Sequence, residues 1–225
     1  MDGQRPAVAF DRPFGALPFL GTALAVLCWG NAAWTVADRF LTKLVSPTLG
    51  ENLARYLDVK SLVTCILFSG GALLCYLLAA KATESIADKG GFLIGAASAA
   101  LTVLATALSY VLKDTLAVDT LCRTLAAALL AAAFLLFAIN RENSRDARSF
   151  SSIAAGFLLL RVFAYLANYY AVWLLETQAA GARLLAVSSG FFLFTNVVAY
   201  VFAGTAFLFM RTPVPAPQYP PKLKY

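Results

Sequence analysis

The sequence predicts an all-α fold, a polytopic integral membrane helical bundle with six transmembrane helices and no soluble domain, and three observations predict it. Apolar residues make up 60% of the 225-residue chain and charged residues only 13%, against roughly a quarter charged in soluble domains. Mean hydropathy is +0.74. Uncharged stretches recur at lengths near the roughly 20 residues that a helix needs to cross a hydrocarbon core about 30 Å thick.

The first stretch, 14–37, is free of charge and too long for the apolar core of a cleaved signal, which runs about 7–15 residues. It is therefore expected to remain as a helix. Stretches 61–80, 90–112 and 184–210 are equally uncharged. The fifth, 150–175, is interrupted only by Arg161, and the fourth, 117–140, opens with Asp119 and Arg123 and is then uncharged. Residues 1–13 read as a polar leader and 14–210 as the six-helix domain. The end, 211–225, reads as a tail in which five prolines impose extended, polyproline-like chain.

The longest connection, 38–60, places Leu49, Leu53, Tyr56 and Leu57 at helical spacing after Ser46 and Pro47, against Glu51, Asn52, Arg55 and Asp58. That pattern predicts an amphipathic segment lying on the membrane surface, against a partner, or over its own bundle. The other connections are short, so consecutive helices should pack as antiparallel neighbours. Gly95 with Ala99 and Ala127 with Ala131 lie four apart, a spacing that lets helices approach closely and points to an inner position for the third and fourth spans. The aromatic sixth span suits a helix facing lipid or another subunit on part of its circumference.

The net charge of +6 comes from basic residues spread along the chain without a cluster, which sets topology and gives no reason to expect nucleic acid. With both termini on one side, that side collects ten Lys and Arg against seven on the other. The bias predicts both termini on the cytoplasmic or matrix-like side; the membrane expected for such a helical bundle is a bacterial inner membrane or an organelle membrane.

Chemistry-bearing residues are scarce. There is no histidine, and the four cysteines, Cys28, Cys65, Cys75 and Cys122, form no CxxC pair. They read as small buried hydrophobes, with no disulfide framework, zinc site or iron–sulfur cluster. Bis-histidine haem is excluded, and no glycine-rich phosphate loop occurs. Serines within the spans lack a base on their own helices. No catalytic residue, metal or cofactor is expected, and the reading is not an enzyme.

One residue demands compensation. Arg161 lies ten residues from Ser151, about 15 Å into the core. A charge there costs about 2.5–3.5 kcal/mol by insertion scales, so the head should face the bundle interior, water or a partner. Tyr165 and Asn168 follow one and two turns along its face. In the sixth span Ser189, Asn196 and Tyr200 form a polar stripe, and Asn31 is the other deep amide. Arg161, Tyr165, Asn168, Asn196 and Asn31 make up the candidate intramembrane polar cluster, to serve as a packing clamp, a solute site or a subunit contact. No carboxylate lies at that depth, so neutral oxygens, water, an anion or another chain must satisfy the guanidinium. Asp119 and Arg123 read as a local ion pair. The pattern as a whole points to a non-catalytic accessory or scaffolding subunit of a larger membrane complex, with the lipid bilayer and other membrane subunits as partners. The alternative is a small-solute transporter or channel, acting alone or as half of a homodimer, built around Arg161.

Overall fold

The computed structural model describes residues 16–111, 116–177 and 180–210; the expected leader and proline-rich tail lie outside the described residues. Helix α1 spans Ala16–Leu49 and turns through a single 3₁₀ turn, Gly50–Asn52, into α2, Leu53–Thr64. Without a break α2 continues through a π-helical turn, Cys65–Gly70, into α3, Gly71–Ala82. Then follow α4 (Ile86–Val111), α5 (Leu116–Ile139), α6 (Arg145–Thr177) and α7 (Ala180–Met210). With α2, the π turn and α3 counted as one rod, six helices are long and apolar enough to cross a membrane, and the described residues contain no strand. Consecutive helices are neighbours, and α7 closes back onto α1.

Most of the helices outrun the uncharged stretches that predict them. Helix α1 has 34 residues, about 51 Å at 1.5 Å per residue, against a hydrocarbon core of about 30 Å. The excess forms the connection at 38–60, which is therefore not a separate surface segment but the upper half of a hairpin. Pro47, which has no N–H to give the carbonyl four residues back, sits inside α1 near its end, and the helix stops within a turn of it. Gly50 then takes φ +49°, a left-handed conformation that a residue without Cβ adopts readily, and the chain reverses. Lys60 fastens the hairpin, its Nζ lying 2.7 Å from Asp38 Oδ1 and 2.9 Å from Thr42 Oγ1. The Tyr110 hydroxyl donates to the Asp58 carbonyl and ties the hairpin to α4. Helix α2 itself buries no residue.

The interior is aromatic at one end and small at the crossings. Phe134, Phe137 and Phe207 are fully buried and, with Phe92 and Tyr76, form a cluster whose ring centroids lie 5.0–6.5 Å apart. Each such ring pair adds about 0.5–1.5 kcal/mol beyond area burial. Gly204 is where α7 meets α1: a Cβ there would stand 2.6 Å from the Trp29 indole and 3.0 Å from the Ala25 carbonyl oxygen. Helix α4 is the most buried span and the second span the least. Helix α7 turns Phe207 inward and Val187, Phe194 and Val201 outward.

The two ends differ. Tyr110, Tyr169, Tyr170 and Trp173 are exposed together at one end, the arrangement of an aromatic belt at a membrane interface. At the other end Asn143 Nδ2 donates to Asp88 Oδ1 at 3.0 Å and to the Phe137 carbonyl at 3.1 Å, and Asn140 Nδ2 to Ser85 Oγ at 3.1 Å. Ser144 caps α6, its Oγ accepting from the Ala147 amide at 3.1 Å. That clasp fixes the α3–α4 and α5–α6 turns against each other.

Candidate intramembrane polar site

Helices α6 and α7 run antiparallel, and three side-chain rungs set their register: Ser188 Oγ donates to Asn168 Oδ1, the Tyr165 ring meets Phe192 edge-on at 4.8 Å, and Arg161 meets Tyr200. Arg161 is eight residues below the Tyr169 belt, about 12 Å in depth. Each terminal nitrogen of its fork makes one hydrogen bond. Nη2 donates to the Tyr165 hydroxyl at 2.8 Å and Nη1 to the Tyr200 hydroxyl at 3.2 Å. The guanidinium carbon lies 5.3 Å from the Tyr165 ring centre and 5.4 Å from those of Phe192 and Tyr200. Three π faces and two phenolic oxygens thus surround the charge, while the buried Nε donates to no described residue.

The magnitudes decide whether this is enough. Hydrogen bonds to a charged group are worth about 1.5–3 kcal/mol each, and a desolvated cation–π contact about 2 kcal/mol. The two hydrogen bonds alone, about 3–6 kcal/mol together, match an insertion cost of about 2.5–3.5 kcal/mol. Arg161 is therefore held by neutral groups of its own chain, with no carboxylate among its described contacts.

Two of the other amides of the candidate cluster, Asn168 and Asn196, bond elsewhere. Asn168 accepts from Ser188. Asn196 faces α1, where its Nδ2 donates to Thr35 Oγ1 at 3.0 Å, and Thr35 in turn donates to the Asn31 carbonyl at 2.7 Å. Its Oδ1 is buried and accepts from no described residue. This α1–α7 seam continues with Trp29 Nε1 donating to the Val201 carbonyl at 3.1 Å and Arg39 Nη2 to the Ser189 carbonyl at 2.8 Å. Of the five residues, only Tyr165 touches Arg161; the second partner is Tyr200, read from the sequence as part of the stripe with Ser189 and Asn196.

Behind Tyr200 lies a cavity of about 50 Å³ between α1, the π turn, α3, α4, α5 and α7. Asn31, Ser69, Ser98, Thr102, Tyr76 and Tyr200 give it a polar wall, completed by apolar groups such as Leu27, Phe68 and Leu130. Ser98 Oγ is spent on the Ala126 carbonyl at 2.7 Å and Thr102 Oγ1 on the Ser98 carbonyl at 3.1 Å. The side chains of Asn31, Ser69 and Tyr76 bond no described residue. The π turn contributes Phe68 and Ser69, and such wide turns occur mostly as local features at functional positions. Sequence reasoning missed this wall. Its faint signal was Ser98 and Thr102 at i, i+4 on the small-residue face of α4.

Asp119 and Arg123 form the expected i, i+4 pair, with Nε to Oδ1 at 2.8 Å. The four cysteines are free, and no three His, Cys, Asp or Glu side chains gather among the described residues. No protein-family model, curated protein or solved structure matches this chain.

Proposed function

We propose that this chain is a non-catalytic membrane subunit with an accessory or scaffolding role in a larger membrane complex. The observation that carries the reading is the hairpin of α1 and α2. It rises past the level of the aromatic belt, α2 buries nothing, and Phe40, Leu44 and Val59 stand exposed on it. Apolar side chains at and above the headgroup level gain most when another protein covers them. The Arg161 cage supports the same reading, since a charge closed on two tyrosines of its own chain acts as a clamp that braces α6 against α7. The basic bias supports termini on the cytoplasmic or matrix-like side, in a bacterial inner membrane or an organelle membrane.

Gentle solubilisation followed by native mass measurement tests this. A stable complex with other chains is expected, and Phe40→Ser with Leu44→Ser should release them while the helices still insert. A bare monomer or homodimer from native membranes overturns the subunit role. A second reading, a small-solute transporter or channel, is favoured by the polar-walled cavity next to a π turn. Solute flux through liposomes holding only this chain would establish it over the first.

A further inference from the structure

The cavity behind Tyr200 is donor-rich and sits beside a positive charge. Tyr200 belongs to its wall and its oxygen accepts from Arg161. A phenol that accepts from a cation still has its own O–H to give. Ser69 and Tyr76 bring two more hydroxyls and Asn31 an NH₂ group, none bonded to a described residue. The hydroxyl hydrogens of Ser98 and Thr102 are already committed to backbone carbonyls. Among the described residues no acidic or basic side chain is in the wall.

We propose that this cavity binds a single small anion of the halide class, chloride being the abundant one, between Asn31, Ser69, Tyr76 and Tyr200. Four side chains able to donate line one cavity, and the guanidinium one phenol away favours negative charge and opposes a metal cation. Size argues the same way. About 50 Å³ is several times the roughly 10–15 Å³ that one water needs, which admits a halide with a water. The proposal is independent of the scaffolding role: an anion bound here would tune the junction of five helices and the π turn whether or not the chain has partners.

The test uses the purified full-length chain in detergent. Chloride-35 NMR linewidths should show saturable excess broadening that bromide competes away and gluconate does not, and the melting temperature should rise in sodium chloride over sodium gluconate. Ser69→Ala and Tyr76→Phe each delete one donor, and the loss of a hydrogen bond to a charge should weaken binding on the order of tenfold to a hundredfold. Surface lysines and arginines would broaden the line without saturation and equally in both variants, so broadening that survives unchanged in the variants overturns the site. A cavity holding only water gives no saturable, bromide-sensitive broadening in the wild type, which also overturns it. That wild-type competition decides the matter even if a variant does not fold.

Discussion

At the same depth in the bundle two polar regions share one residue, Tyr200, and solve opposite problems. On the α6 side a full charge is met by two phenols and three rings. On the α4 side there is no charge, yet the donors of Asn31, Ser69 and Tyr76 bond no described residue. The contrast teaches that polarity inside a membrane protein is not one signal. A cation whose two terminal nitrogens bond phenols of its own chain reads as structure, whereas donors around a cavity that bond no described residue read as a place for something else.

The largest effect is expected where the two regions meet. Tyr200→Ala removes an acceptor and a π face from Arg161 and opens the cavity wall, and aromatic truncations in cores cost about 3–5 kcal/mol. Denaturation in mixed micelles should place it well below wild type; a loss under about 1 kcal/mol would mean that the clamp and the cavity are not joined through this ring. Arg161 is next, and its variants separate charge from shape. Lys keeps the charge but lacks the planar fork that reaches two hydroxyls at once, whereas Met removes the charge along with its burial cost. Arg161→Lys should therefore be the more destabilising, by about 2–3 kcal/mol against about 1–2 for Arg161→Met, whose cost is two phenols left without a donor. The reverse order, measured by the same unfolding assay, would show that the charge itself is what the site requires.

The number and rough positions of the spans were legible because the bilayer sets them: a helix must stay uncharged for the thickness of the core, and few other arrangements tolerate runs such as 184–210. Where the helices end was not legible. Asp38 and Lys60 read as the close of one span and the start of the next, yet they pair with each other across the hairpin at 2.7 Å, so the helices pass through the charges instead of stopping at them. The depth of Arg161 and its contact with Tyr165 followed from helical spacing alone. Whether Asn196 or Tyr200 would be the partner on α7 did not, since they lie one turn apart at compatible heights. The rotation of α7 decides it by giving Asn196 to Thr35 of α1. The cavity was invisible because its wall is drawn from α1, the π turn, α3, α4, α5 and α7, and no single segment carries its pattern.

A finer probe of the clamp is Tyr165→Phe, which keeps the ring over Arg161 and deletes only the hydroxyl that Nη2 donates to. The loss of one charge-assisted bond predicts about 1.5–3 kcal/mol. A smaller value would assign most of the stabilisation to the π faces, which together with Tyr200 would then carry the charge.

The smallest effect is expected on the other side of Tyr200. Ser69→Ala, measured in gluconate, takes away a hydroxyl that bonds no described residue and lines a cavity, so it neither breaks a bond nor strands a partner. Stability should stay within about 0.5 kcal/mol of wild type. The same change at a hydroxyl the fold has already used, Ser98→Ala, whose Oγ bridges α4 to the Ala126 carbonyl at 2.7 Å, should cost about 0.5–1.5 kcal/mol, the net worth of one hydrogen bond, since that carbonyl keeps the amide of its own helix. Two serines facing one cavity would then differ only in whether the fold had already used them. If Ser69→Ala instead costs as much as Ser98→Ala in gluconate, Ser69 is bonded within the fold, and the contrast between the clamp and the cavity falls away.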